Sequence, residues 1–154
     1  MSLRYPHARF GVIGQPVDHS LSPFIHQAFA RQWGIDLNYR RMELTSENLA
    51  AGLARFAAEE GLGLNVTLPH KRTVMAHCTL LSSRATRALA VNTLTYTENG
   101  WYGDNTDGVG LVNNLCQRNG IDLHERRTLL LGAGGAAFGV APALLDAGIG
   151  ELVI

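Results

Sequence analysis

Apolar and polar positions along the chain recur with two different periods, and their alternation predicts the elements. Phe10 to Gly14 is an apolar run of strand length. After it, Ser22-Pro23 starts a helix, with Ser22 as the expected N-cap and Pro23 at the first helical position, and Phe24, Ile25, Ala28 and Phe29 follow at helical spacing. Leu37 to Leu44 predicts the next strand. Leu49, Leu53, Phe56 and Ala57 share one face of a second helix, which leads into a strand over Leu64 to Leu68. The order β-α-β-α-β predicts an α/β domain with a mostly parallel sheet, and in such sheets ligands bind beyond the carboxyl ends of the strands.

Further along, short helices are expected near Pro69 and over Ser82 to Ala88, then a strand from Ala90 to Thr97. Asn99-Gly100 turns that strand tightly into Trp101 to Asp104. Thr106 or Asp107 can cap a helix running to about Asn119, stopped by Gly120. Thr128 to Leu131 reads as a strand, Gly132 to Gly135 as a turn, Ala136 to Ala147 as a helix ended by Gly148, and Leu152-Val153-Ile154 as another strand. With no repeat and no low-complexity linker, the expected domains are residues 1–105 and 106–154.

Composition narrows the function classes. The chain has 154 residues, 46% hydrophobic and 17% charged, and its 13 basic residues balance 13 acidic ones. That composition is ordinary for a globular protein and leaves no basic stripe for nucleic acid. No apolar run reaches the roughly 20 residues of a membrane helix. Met1-Ser2-Leu3-Arg4 lacks the apolar core of a signal peptide, and Cys78 and Cys116 form neither a CxxC pair nor a disulfide framework. A cytoplasmic protein with a small-molecule partner, no bound metal, no nucleic acid and no membrane is expected.

Lys71 is the single lysine among those thirteen basic residues. A guanidinium keeps its proton whereas a lysine amine can exchange one, so a lysine retained in an arginine-rich chain is a candidate acid/base. Gly132-Ala133-Gly134-Gly135-Ala136-Ala137 follows a strand and opens a helix, which matches the G-x-G-x-x-G/A dinucleotide turn. The same glycines could serve close packing alone. Ser20 and Ser22 stand at a helix start, where a carboxylate is favoured, although capping would account for Ser22 equally well. Asn65 and Thr67, two apart on a strand, can face one ligand. Asn92 and the run Asp104 to Gly108 add further polar groups, with Asp107 either a helix cap or a catalytic carboxylate. Together these groups describe a pocket for a small polyhydroxylated acid undergoing hydride transfer.

Five motifs carry a resemblance over essentially the whole chain: Ser20-Leu21-Ser22-Pro23, Asn65-Val66-Thr67-Leu68-Pro69-His70-Lys71, Ala90-Val91-Asn92-Thr93-Leu94, Gly103-Asp104-Asn105-Thr106-Asp107-Gly108 and Gly132-Ala133-Gly134-Gly135-Ala136. In this order they resemble the shikimate dehydrogenases. The resemblance implies an N-terminal substrate domain, a Rossmann NADP-binding domain, and a site between them that interconverts 3-dehydroshikimate and shikimate. It implies that Ser20 and Ser22 hold the carboxylate, that Thr67, Asn92 and Asp107 read ring hydroxyls, and that Lys71, oriented by Asp107, supplies acid/base chemistry. Gly132, Ala133, Gly134, Gly135 and Ala136 would hold the NADP pyrophosphate. The paired serines favour shikimate over quinate, with an NAD-using quinate/shikimate dehydrogenase as the rival reading. Ser83 departs from the family, many of whose members are acidic there. The resemblance also implies roughly a hundred further residues, including the arginine loop that reads the NADP phosphate, and a full-length enzyme that is a monomer or homodimer. The end at Ile154, inside a predicted strand, therefore reads as a fragment limit. The fragment is expected to bind substrate without turning it over.

Overall fold

The computed structural model describes residues 8–154. Strand β1 (Ala8–Gly14), helix α1 (Ser22–Gln32), β2 (Leu37–Glu43), α2 (Leu49–Ala58) and β3 (Gly63–Val66) follow in the predicted order. β1 lies between β2 and β3 and is parallel to both, so that Val12 pairs with Arg41 on one side and Asn65 on the other. β4 (Leu80–Leu81), α3 (Ser83–Ala88), β5 (Thr93–Thr97) and β6 (Gly100–Asp104) complete a six-stranded sheet in the order β2-β1-β3-β5-β6-β4. Three of its five strand pairings are parallel; the hairpin strand β5 runs antiparallel to both β3 and β6.

Side-chain alternation on β1 divides the packing between the two faces of the sheet. Ile13 joins Leu49, Leu53 and Phe56 of α2 with Leu64, Leu94 and Trp101 in the main core. Phe56 is 1% exposed, and burying a side chain of its size contributes about 1.5–3 kcal/mol. Its neighbour Val12 points the other way and meets Val17 and Tyr39 in a smaller cluster. That second face carries the site.

After the sheet, α4 (Asp107–Asn113) runs into a π-helical turn over residues 114–118. The helical segment expected to run to about Asn119 and stop at Gly120 is found, with a widened last turn: Asn119 N–H reaches back five residues to the Asn114 carbonyl, and Gly120, at φ +66°, ends the segment. β7 (Arg127–Leu129), α5 (Gly135–Asp146) and β8 (Glu151–Val153) then form a β-α-β unit whose two strands pair in parallel.

Other expectations need correction at their ends. β3 stops at Val66 instead of Leu68, because the chain turns out at Pro69, which has no N–H to offer a ladder. β5 starts at Thr93, which leaves Asn92 in the connection before it. The helix expected near Pro69 is a turn followed by a 3-10 helix, Thr73–His77. Ser22 is not an N-cap: Leu21 (φ −84°, ψ −2°) already has helical backbone, α1 starts at Ser22, and no side chain caps it. The last strands are Arg127–Leu129 and Glu151–Val153, each shifted from the run expected for it.

Candidate functional site

Beyond the carboxyl ends of β1 and β3 lies an open cavity of about 320 Å³, lined by Lys71 and Asp107 together with Ser20 and Ser22. The turn after β3 carries Lys71, whose carbonyl accepts from Val91 N–H at 2.7 Å and so ties the turn to the segment before β5. Lys71 Nζ donates to Asp107 Oδ2 at 2.7 Å. Asp107 Oδ1 accepts from Asn92 Nδ2, also at 2.7 Å. Asn92 spends the rest of its amide on the same junction: Nδ2 donates to Thr106 Oγ at 2.9 Å, and Oδ1 accepts from Thr106 N–H at 3.0 Å and Thr93 Oγ at 2.8 Å. Asn92 is therefore a clamp on Asp107 as well as a cavity wall.

Asn105, 2% exposed, holds the start of α4 from below, donating to Ala90 O at 3.0 Å and accepting from Asp107 N–H at 3.0 Å. Sequence reasoning had counted Asn105 only as one polar residue in a run. Asp104 does not line the cavity and pairs with Ser82 and Arg84. Burial opposes its ionisation, yet the Arg84 guanidinium, the Ser82 hydroxyl and Asn105 N–H together hold its carboxyl below the usual carboxylate range. Ser83, the departure from the family pattern, lines a separate cavity of about 130 Å³ between α3, α4 and α5.

Ser20 Oγ donates to Ser22 Oγ at 3.1 Å and accepts from Ser22 N–H at 3.3 Å. With no helix cap to make, both hydroxyls line the cavity. The Arg41 guanidinium holds the Ser20 carbonyl at 2.6 and 2.9 Å. Asn65, at the end of β3, and Thr67, just past it, form the floor. Two residues that the sequence reading passed over stand here. Tyr39 donates to Asn65 Oδ1 at 2.7 Å and stacks on His26, centroids 4.3 Å apart and planes 16° from parallel. Burial pushes the Tyr39 hydroxyl up to about 12, against a smaller opposing effect of the Ser22 hydroxyl. The available signal was a lone tyrosine between Asn38 and Arg40 on an otherwise polar stretch.

The glycine turn lies behind Lys71 and lines no part of the cavity. Gly132 sits at φ +107°, a conformation that favours glycine, and Gly134 precedes α5 with no side-chain cap and no acidic residue in the first turn. Side chains at Gly132 or Gly134 would meet nothing within 4 Å, so the backbone there is open to a ligand, and the free N–H groups of the helix start suit an anion. The turn thus fits a dinucleotide pyrophosphate. It also adjoins the lysine, since a Cβ on Gly135 would lie 3.4 Å from Lys71 Cβ. One turn along, a Cβ on Gly139 would come within 2.8 Å of Asp107 Oδ2, so α5 rests directly on the carboxylate that holds Lys71. Ala133 and Ala136 occupy the turn and the first turn of α5.

Among the described residues no group of three histidine, cysteine, aspartate or glutamate side chains is placed to hold a metal, and no helix is long and apolar enough to cross a membrane.

The site therefore combines a polar cavity at the strand ends of a β-α-β sheet, a lysine–aspartate pair and a dinucleotide-type turn. The family described as "Shikimate dehydrogenase substrate binding domain" matches residues 12–94, just over half the chain, and the chain belongs to it. It is 58% identical over 149 residues to the shikimate dehydrogenase (NADP(+)) of Xylella fastidiosa strain 9a5c, covering 97% of this chain and 53% of that protein. It is 56% identical over 146 residues to the enzyme of the same name from Stenotrophomonas maltophilia strain K279a, covering 95% and 52%. The shikimate 5-dehydrogenase of Thermus thermophilus, solved with NADP(H) and shikimate, superposes with a TM-score of 0.85 at 38% identity, over 94% of this chain and 54% of that one. The chain spans about half the length of the curated relatives it matches.

Proposed function

We propose that this chain carries the substrate-binding half and the phosphate turn of an NADP-dependent shikimate dehydrogenase, the enzyme that reversibly reduces 3-dehydroshikimate to shikimate. The observation that carries the reading is the position of the Lys71–Asp107 pair, with the paired serines in the same cavity and the glycine turn against the lysine. Ser20 and Ser22 offer two hydroxyls to the substrate carboxylate. Thr67, Asn65, Asn92 and Asp107 face the ring hydroxyls. Lys71 holds at Nζ the proton that passes to the substrate oxygen as charge develops there, and Asp107 keeps that ammonium in place. Gly132, Ala133, Gly134, Gly135 and Ala136 would hold the pyrophosphate of NADP, which would supply the hydride chemistry. Residues 1–105 act as the substrate domain, and 106–154 as the linking helix and first βαβ unit of a Rossmann cofactor domain.

In the cell this reading assigns the protein to aromatic amino-acid biosynthesis by way of chorismate, in the cytoplasm, as a monomer or homodimer when full length. Titration of the purified chain with shikimate by calorimetry tests it. Weak saturable binding that is lost on Ser20→Ala/Ser22→Ala is expected, together with no turnover when NADP⁺ is added. Heat identical for shikimate and for a ring acid without hydroxyls would overturn it.

A further inference from the structure

Resting on this reading of the cavity as a shikimate site, we propose that Tyr39 is a positioning residue that sets the orientation of the Asn65 amide. Its effect is to commit the cavity floor to an N–H donor facing the ligand. The Asn65 backbone is held on both sides, opposite Val12 of β1 and Thr93 of β5, so the amide plane is what remains free to turn. Asparagine χ2 is broad and roughly two-fold, and the two amide faces differ completely in chemistry, one an acceptor and the other a donor. Tyr39 breaks that symmetry.

The tyrosine is itself fixed. It is 6% exposed, and its ring lies flat on the His26 imidazole, which in turn donates from Nδ1 to the Ser22 carbonyl at 2.8 Å. A carbonyl can only accept, so Nδ1 carries the proton of that bond. The buried phenol points at Asn65 Oδ1, 2.7 Å away. With Oδ1 engaged, Nδ2 is left facing the cavity, and among the described residues it makes no hydrogen bond of its own. An oriented NH₂ group accepts no proton from a ligand. It selects a ligand atom with a lone pair, such as a ring hydroxyl oxygen or an oxygen gathering negative charge. A freely turning amide would offer its oxygen half of the time and repel that atom.

Tyr39→Phe keeps the ring and its stacking while removing the hydroxyl. Two readouts separate the positioning role from the substrate reading. In the ligand-free chain, the Asn65 side-chain NH₂ signals in a ¹⁵N-correlated spectrum, assigned by their loss in Asn65→Ala, are expected to broaden or split in Tyr39→Phe while the backbone pattern of β3 stays in place. In calorimetry, Tyr39→Phe is expected to weaken shikimate binding by about threefold to tenfold, the fold-change equivalent of one neutral hydrogen bond. In an Asn65→Ala background it should have no further effect. Unchanged Asn65 signals in Tyr39→Phe would overturn the proposal, as would an equal loss of affinity in the parent and Asn65→Ala backgrounds. If the Asn65 signals respond but the parent chain fails to bind shikimate, the positioning role stands and the substrate reading falls.

Discussion

The strength of the Lys71–Asp107 pair follows from its burial. The side chains are 14% and 23% exposed, between the surface pairs that contribute about 0.2–1 kcal/mol and the buried ones whose breaking costs about 3–5 kcal/mol. The two ends are not equivalent. Asp107→Ala strands an ammonium whose carboxylate acceptor is gone, and it also deprives Asn92 of one acceptor. Lys71→Ala leaves a carboxylate that still accepts from Asn92 and reaches the open cavity. We expect losses of about 2–3 kcal/mol for Asp107→Ala and about 1–2 kcal/mol for Lys71→Ala, on the scale of charged hydrogen bonds. The double variant should lose little more than Asp107→Ala alone, which puts the coupling at about 1–2 kcal/mol. Urea unfolding followed by tryptophan fluorescence, at constant m-value, measures all three. At about 1 M salt the coupling should persist, whereas that of the half-exposed Arg87–Asp146 pair should vanish. Additivity of the two single variants within about 0.5 kcal/mol, or a greater cost for Lys71→Ala than for Asp107→Ala, would refute the reasoning.

Four more outcomes are expected. In a chimera joining this chain to the C-terminal half of the Xylella fastidiosa relative, Lys71→Arg should lower turnover by about 10²–10⁴, because a guanidinium cannot deliver the proton; near-normal turnover would take Lys71 out of the chemistry. Ser22→Ala should weaken shikimate binding by about 1.5–3 kcal/mol while leaving the melting temperature in place, since the hydroxyl caps no helix; a lower melting temperature with intact affinity would reverse that assignment. Tyr39, with its folded value pushed up to about 12, should give an ultraviolet absorbance step above the usual tyrosine range. A raised folded value means that its share of stability is complete below the unfolded value of about 10 and is lost as pH climbs from there through 12, so Tyr39→Phe should remove both the late absorbance step and that alkaline loss. Leu129, Leu131, Val153 and Ile154 stand exposed on and beside the two-stranded β7–β8 sheet, so sedimentation should show concentration-dependent association that Leu131→Lys reduces; a monomer at high concentration would count against it.

What could be read from the sequence follows the range of the interactions involved. β1, α1, β2 and α2 were visible because each writes its own period, and the glycine turn because strand, turn and helix are contiguous. Lys71 stood out by composition. β4 was not visible, because two residues carry no period and Leu80–Leu81 is a strand only by virtue of β6 beside it. The ends of β3 and β5 went astray for the same reason, being set by partners and by Pro69 more than by apolar runs. Ser22 shows the limit of a local rule. Serine before proline is a good cap by type, but the backbone at Leu21 moves the helix start forward by one residue and turns a cap into a cavity wall. The Tyr39–Asn65 bond joins residues 26 apart on strands that both flank β1, and nothing near either residue announces the other.

Asp107 takes only one of the two local readings that the sequence offers. Thr106 stands at the N-cap of α4 and no side chain caps it, while Asp107, in the first turn, holds Lys71 and is itself fixed by Asn105 and Asn92. The same residue meets Gly139 of α5, the helix whose opening turn fits the pyrophosphate. Gly108, the next residue of α4, is also seated against α5, where a Cβ would lie 2.6 Å from that of Ala143. The glycines of this region therefore differ by position around one helix: Gly132 and Gly134 face open space, while Gly139 brings the helix against the carboxylate. Asp107 Oδ2 is the polar atom that a Cβ on Gly139 would meet first. That places the lysine's partner at the contact between α5 and the cavity.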